Sequence, residues 1–386
     1  MKTIISLFFG ENQYTLWQII RDYGIIFPVV FIVTLGATWI CQFLALKWGI
    51  MDLPDGDVKP HEKPTAYLGG VGIWFGLLVG LTIGLIILRR LSIEITNNKI
   101  SNVLMLKGIY LGATIACIVG LLDDIFNIKP WQKFLGQTIA ASALILVGIR
   151  PDLKTMFSLL NIPLPDVLLT ILSVPIVVFF VLGATNSLNL LDGLDGLCAG
   201  VTAIISAGFF VLSVSLTTCF HDPMVDPIRL ILCLSLTGGS LGFLILNRHP
   251  ARIYMGDAGS MLLGYMAATL IILFIDKLGN WSTAAIIIFG LPILDTSVTL
   301  VRRFINKQPI FAPDRSHIYD QLISKGHSLR KTVNICYALS GFFVMIGLPM
   351  RLFSFEYSIL FFSILVLISG FFIWWFDFLR MPKIRN

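Results

Sequence analysis

Five stretches of this sequence carry side chains whose types and spacing suit chemistry on phosphates. The first is Leu121-Leu122-Asp123-Asp124-Ile125-Phe126-Asn127. Adjacent carboxylates at the mouth of an apolar helix resist joint ionisation unless a cation offsets them, and Mg²⁺ with phosphate is a common solution. The bland alternative is a pair of solvated helix-end acids. The second stretch runs from Asn186 to Gly196, Asn-Ser-Leu-Asn-Leu-Leu-Asp-Gly-Leu-Asp-Gly. Asn189, Asp192 and Asp195 recur every third residue, so a helical turn projects them to one side, and Gly193 and Gly196 allow a backbone or phosphate to approach. A capping loop with Asx turns is the competing account.

The third stretch, Asn247-Arg248-His249-Pro250-Ala251-Arg252-Ile253-Tyr254-Met255-Gly256-Asp257-Ala258-Gly259-Ser260, sets an acid just before an apolar run. Asp257 is either an N-cap or a metal ligand beside a phosphate-favouring helix terminus. The fourth, Pro313-Asp314-Arg315-Ser316-His317-Ile318-Tyr319-Asp320, sets a guanidinium two residues from an imidazole, a pair suited to phosphate oxygens. His61, His221, His249 and His327 are read as structural. The fifth, Lys59 to Gly70, places Lys63 and Thr65 before Gly69-Gly70, a turn able to hold an anion or to act as a juxtamembrane linker. Two isolated ionisable residues complete the set. Asp295 falls inside an apolar run, where an acid is either functional or the cap of a polar cavity, and Lys133 pairs with the Asp123/Asp124 carboxylates, binds phosphate or snorkels.

The elements that must position these residues are membrane helices. Of 386 residues 56% are apolar and only 13% charged, with a mean hydropathy of +0.87, which excludes a soluble enzyme, a nucleic-acid module and a disordered chain. The six cysteines show no Cys-x-x-Cys and no metal spacing, so they are small apolar residues. Ile4–Phe9 is too short and too poorly flanked for a cleavable signal and suits an interfacial segment. Apolar runs long enough to span occur at 25–46, 68–88, 103–122, 131–148, 167–185, 197–218, 228–246, 259–275, 281–301, 333–350 and 357–378. The expected fold is therefore all-α, a polytopic transmembrane bundle of about eleven spans forming one integral membrane domain.

An odd count puts the termini on opposite sides. Loops 47–67, 123–133, 186–196, 247–257 and 302–331 with the C-terminus hold 17 of the 28 Lys and Arg residues and the other side 11. That bias predicts a cytoplasmic C-terminus and an outside N-terminus. All five motif stretches then share the cytoplasmic face, although no functional face was used to place the spans.

Taken in order, Asp-Asp, Asn-x-x-Asn-Leu-x-Asp-Gly-x-Asp-Gly, Met-Gly-Asp-x-Gly-Ser and the Arg/His loop resemble the polyprenyl-phosphate N-acetylhexosamine-1-phosphate transferases, from about Lys59 to Leu322. The resemblance implies transfer of a sugar-1-phosphate from a UDP-N-acetylhexosamine to a polyprenyl phosphate such as undecaprenyl phosphate, with release of UMP. It implies Mg²⁺ as cofactor, with Mn²⁺ as a substitute, a bacterial-type plasma membrane location, no nucleic-acid partner, and a homodimer as one admissible assembly. Carried over residue by residue, it assigns catalysis to Asp123, Asp124, Asp195 and His317. Substrate binding falls to Lys63, Lys133, Asn186, Asn247 and Arg315, and metal binding to Asn189, Asp192 and Asp257.

Two later positions of the family's His-x-His-His motif are Tyr319 and Asp320 here, so only His317 is carried over. Arg302-Arg303, Phe311 to Arg315 and Pro292 before Asp295 resemble the branch that uses UDP-GlcNAc to begin surface-glycan synthesis, in place of the UDP-MurNAc-pentapeptide branch. A secondary transporter would show midplane acids and internal repeats. A prenyltransferase or CDP-alcohol phosphotransferase would space its carboxylates differently.

Overall fold

The computed structural model describes residues 16–52, 64–91, 99–154, 157, 162, 164–219, 227–275, 279–308 and 317–379. Ile4–Phe9, Lys63 and Arg315 lie outside the described residues. The chain builds helices α1 (Leu16–Tyr23), α2 (Ile26–Trp48), α3 (Gly69–Leu91), α4 (Lys99–Phe126), α5 (Pro130–Leu146), α6 (Asp166–Leu191), α7 (Leu197–Cys219) and α8 (Pro227–Asn247). It continues with α9 (Gly256–Ile275), α10 (Gly279–Ile288), α11 (Gly290–Ile305), α12 (Ile318–Ser324), α13 (Leu329–Gly347) and α14 (Phe355–Trp375). Three short strands, β1 (Met51–Asp52), β2 (Thr65–Tyr67) and β3 (Ile253–Tyr254), form one sheet. In it β2 pairs antiparallel with β1 and parallel with β3, so that Tyr67 stands opposite Tyr254.

Among the described residues nine helical segments are long and apolar enough to cross a membrane, and ten if a bent pair counts as one span. The protein is a polytopic all-α membrane protein, and two expected spans need correction. The run at 131–148 is α5, whose 17 residues extend about 25 Å, short of a typical hydrocarbon core of ~30 Å. The run at 281–301 is not one rod. It breaks between α10 and α11 with a 71° bend. Gly290 stands at the break and Pro292 supplies no backbone N–H to the turn before it. The bend also suits the composition of α11, which buries Asp295, Thr299 and Arg302 on one side and exposes Leu300, Val301 and Phe304 on the other. Such a polar stripe gains by leaving the hydrocarbon interior.

Apolar helices of similar hydropathy sort by shape. In a membrane, packing favours the helix with small residues, because backbones can then approach closely. α9 carries Gly259, Gly264, Ala267 and Ala268 and is buried along almost its entire length. α14 is bulky all round, exposes Phe371, Trp374 and Trp375, and lies at the periphery. Neighbouring backbones come close to α9 at Gly264, where a Cβ would lie 2.5 Å from Thr185 Cα on α6, and at Gly120 of α4, where it would lie 2.3 Å from the Asp257 carbonyl oxygen.

The turn after α14 is tied to the segments around α12. Arg302 Nη1 and Gln321 Nε2 donate to the Phe378 carbonyl at 3.4 and 3.0 Å. Lys325 Nζ donates to the Phe376 carbonyl at 2.8 Å and sits 4.2 Å over the Phe378 ring.

Gly120→Ala should therefore destabilise the protein by about 1–3 kcal/mol through overpacking against backbone. Thermal melting in detergent reads this as a clear drop, whereas Gly183→Ala, with open space around its Cβ, should melt like the parent.

Candidate active site

The site is assembled at the end of the bundle where α4 and α6 finish and α5 and α9 begin. Gly256 adopts a left-handed φ of 67° and swings the chain from β3 into α9, which places Asp257 in its first turn. The N–H groups exposed there need acceptors, and α4 supplies one. Asp124 Oδ1 accepts the Asp257 N–H at 2.8 Å and Oδ2 accepts the Ala258 N–H at 3.1 Å. The Tyr67 hydroxyl donates to the same Oδ1 at 3.0 Å. A carboxylate at a helix N-terminus gains both from charge-assisted hydrogen bonds and from the helix dipole. Asp124 thus caps a helix 133 residues away in sequence. Burial, followed by the Asp124, Asp257 and Asp192 carboxylates, pushes the Tyr67 phenol above its ordinary value, so it remains a donor.

Lys133, in the first turn of α5, lies at the centre of the cluster. Its Nζ is 3.0 Å from Asp123 Oδ2, pairs with Asp257 Oδ2 and lies 3.4 Å from Asn189 Oδ1. Oxygens from α4, α6 and α9 therefore converge on one cation. Asn189 also donates through Nδ2 to Asp257 Oδ1 at 2.7 Å and to Ser260 Oγ at 3.0 Å. A single lysine thus serves two acids, Asp123 and Asp257.

Asp192 follows α6 and closes its last turn by donating its N–H to the Asn189 carbonyl at 3.2 Å. It meets the cluster through its field: burial first, then Asp257, Asp124 and Asp195, raise its carboxyl well above the usual range. Asp195 faces the 247–253 loop. Its Oδ2 accepts the Ala251 N–H at 3.0 Å and lies 2.8 Å from His249 Nδ1. Asn247 is buried, accepting the Gly196 N–H at 3.0 Å and donating to the Ile253 carbonyl at 2.9 Å. Asp195 and Asn247 together bind the Asp-Gly turn to the loop that leads into Asp257. Asn186, one turn back from Asn189, donates to Gln137 Oε1 at 3.1 Å and to the Leu182 carbonyl at 2.7 Å.

His317 belongs to a neighbouring unit. Its buried ring places Nδ1 2.8 Å from Asp295 Oδ2 and 3.3 Å from Thr299 Oγ1. Asp295 Oδ1 accepts the Ile318 N–H at 2.7 Å, so this buried acid caps α12. Tyr319, standing where the family motif has a histidine, stacks on His317 and donates to the Leu190 carbonyl at 3.2 Å. That bond docks α12 on the end of α6, beside Asn189 and Asp192.

Residues 106–275 match the profile of glycosyl transferase family 4. The chain is 33% identical to the probable undecaprenyl-phosphate N-acetylglucosaminyl 1-phosphate transferase of Bacillus subtilis, over 84% of each chain. The chain belongs to glycosyl transferase family 4. It is also 30% identical to the decaprenyl-phosphate N-acetylglucosaminephosphotransferase of Mycobacterium tuberculosis, over 83% of this chain and 81% of the relative. A phospho-N-acetylmuramoyl-pentapeptide-transferase of Listeria monocytogenes is 31% identical over 64% of this chain and 74% of its own. The stretch matched to glycosyl transferase family 4 holds Asp123, Asp124, Lys133, Asn189, Asp192, Asp195 and Asp257, and it ends before Asp295 and His317.

Sequence reasoning alone passed over four partners. Tyr67 lies in a stretch singled out for Lys63 and Thr65, and His249 was read as structural. Ser260 closes the Met-Gly-Asp-x-Gly-Ser motif but was given no role, and Gln137, in the middle of α5, carried no signal. Each acquires its role from a contact between distant elements, Tyr67 with Asp124 across 57 positions and His249 with Asp195 across 54.

The raised Asp192 carboxyl gives a signed prediction. A group with a folded pKa above its unfolded value contributes stability below the ordinary carboxylate range and loses it as pH rises through the raised value. In chelator, the parent should therefore lose stability across that rise. Asp192→Asn, which cannot ionise, should not, and should melt higher than the parent on the alkaline side.

Proposed function

We propose that this protein transfers N-acetylhexosamine-1-phosphate, with GlcNAc-1-phosphate as the first choice, from a UDP-sugar to undecaprenyl or another polyprenyl phosphate, releasing UMP. The observation that carries the reading is the convergence of Asp123, Asp257 and Asn189 oxygens on the Lys133 ammonium, at one end of a membrane bundle. That arrangement suits two anionic reactants, one of which is a lipid. The names of the Bacillus and Mycobacterium relatives supply the polyprenyl phosphate and the sugar. The Lys and Arg distribution supports a cytoplasmic motif face, where a UDP-sugar is available, and the bacterial relatives support a plasma-membrane location.

Phosphoryl transfer needs positioning and charge neutralisation more than covalent help. A phosphate monoester has its second pKa near ~6, so the acceptor is largely dianionic without a strong base. Its oxygen attacks the sugar-linked phosphorus, that P–O bond forms, and the P–O bond to the uridylate breaks with its electron pair leaving on UMP. In this reading Lys133 neutralises phosphate oxygens, Asp123 orients the acceptor, and Asn189 fixes the direction of Asp257.

The site fits Mg²⁺ by the chemistry of its donors. Hard oxygens from three helices already face one cationic centre and the acids outnumber the lysine, although among the described residues no three His, Cys, Asp or Glu side chains form a closed metal group. Asn189, Asp192 and Asp257 would hold the ion, and bound there it would offset pyrophosphate charge. A homodimer remains compatible with this reading and is not needed by it.

The deciding experiment mixes purified protein with undecaprenyl phosphate, Mg²⁺ and either UDP-GlcNAc or UDP-MurNAc-pentapeptide, and identifies the released nucleotide. UMP with a lipid pyrophosphoryl GlcNAc is the expected outcome. UDP would mean cleavage of the glycosidic bond and would refute the mechanism, while UMP from the pentapeptide donor alone would assign the other branch. Asp257→Asn should lower turnover by at least about 100-fold, a loss of ~2.7 kcal/mol of transition-state stabilisation, while melting close to the parent. Full activity would remove Asp257 from the site.

A further inference from the structure

Among the described residues three donors hold Asp124, one of them a side chain. The Asp257 and Ala258 N–H groups follow from where α9 starts, and the third is the Tyr67 hydroxyl at 3.0 Å from Oδ1. Tyr67 is itself fixed from both flanks. Its N–H donates to the Ile50 carbonyl at 3.2 Å, and β2 is paired in parallel with β3, the strand that runs into Gly256 and Asp257. In the first turn of α3, the contact is reinforced by the Gly70 N–H, which donates to the Met255 carbonyl at 2.9 Å. The β2 strand, the end of α4 and the start of α9 therefore meet at a single carboxylate.

The geometry of that carboxylate matters for its neighbour. Asp124 is adjacent in sequence to Asp123, which faces Lys133, and it caps the turn from which Asp257 faces the same Lys133. A rotation of Asp124 would loosen the first turn of α9 and displace Asp257 relative to Lys133 and Asn189. Without the phenol, the carboxylate keeps one backbone N–H on each oxygen, from Asp257 and Ala258, and loses the one donor that ties it to β2.

We propose that Tyr67 is a positioning residue for the transfer reaction: its hydroxyl locks Asp124 as the cap of α9 and so sets the direction of Asp257. The proposal rests on the function proposed above, and its class of action is orientation of the reacting groups, with no contact to either substrate. Side chains that orient others around a charged site commonly cost 10–100-fold in activity when removed.

The test uses the full-length purified protein. Tyr67→Phe deletes only the hydroxyl, and Tyr67→Met deletes it in a more adaptable side chain, so at least one variant retains the fold. The expected result is a kcat for UMP release about 10–100-fold below the parent, with KM for UDP-GlcNAc and for undecaprenyl phosphate within about twofold. In an Asp124→Asn background, Tyr67→Phe should cause little further loss, because the phenol acts through the carboxylate. Independently of any turnover, hydrogen–deuterium exchange of the 253–262 segment should quicken in Tyr67→Phe.

A parent-like kcat in Tyr67→Phe would overturn the proposal, and so would a rise in KM alone, which would mark a direct substrate contact. Multiplicative losses in the double variant would also overturn it. If the parent itself released no UMP from any donor, the functional reading would fail. The exchange measurement would still decide the clamp, since unchanged exchange refutes it.

Discussion

Three acids gathered at the end of a membrane bundle repel one another, and the structure is organised around that repulsion. Lys133 meets Asp123 and Asp257 directly, and the start of α9 absorbs Asp124 through two backbone N–H groups. Neither solution is available to one helix alone. The lysine comes from α5, the capped terminus from α9, and the acids from α4 and α9. Charges placed in poorly hydrated surroundings persist only when such partners are positioned for them. The elements must therefore arrive in register, and the close approach of α4 to α9 at Gly120 is what brings them together.

The two adjacent aspartates are chemically identical and are used differently. On a helix, neighbouring residues point about 100° apart, so they cannot share one partner. Asp123 turns to Lys133, while Asp124 turns to β2 and the first turn of α9. One carboxylate keeps a narrow exposed edge and a cationic partner, suited to meeting phosphate. The other is consumed by hydrogen bonds, suited to holding its neighbour still. A similar division separates Asp192, which carries a raised carboxyl, from Asp195, which ties down the 247–253 loop.

The broken helix links this centre to the last third of the chain. Because α11 turns away at 71°, its polar face meets α12 and not lipid, and Asp295 finds the His317 ring and the Ile318 N–H. Tyr319 then reaches the Leu190 carbonyl at the end of α6, while the turn after α14 grips Arg302, Gln321 and Lys325. The loss of two motif histidines at Tyr319 and Asp320 has a structural counterpart: Tyr319 is a packing and hydrogen-bonding residue, and Asp320 accepts the His317 N–H at 3.1 Å as part of the α12 cap.

Much of this was legible in the sequence because it is local. Apolar runs of spanning length, and the motif residues at their ends, depend on composition and short spacing, so the bundle, the shared face and most of the cluster could be read directly. The two spans that failed as simple rods did so for local reasons as well: α5 is too short, and Gly290 with Pro292 interrupts the next. What the sequence could not assign was which acid does what. Asp257 as cap or ligand, Lys133 as partner, phosphate ligand or snorkel, and Asp295 as functional acid or cap stayed open, since each depends on an atom contributed by a segment far along the chain. By itself the sequence determined that acids, amides and one lysine would collect at one membrane face. Only the tertiary structure decided that Asp124 caps α9, that Lys133 bridges Asp123 and Asp257, and that His317 pairs with Asp295, because hydrogen-bond direction is set by packing between helices and not by spacing within them.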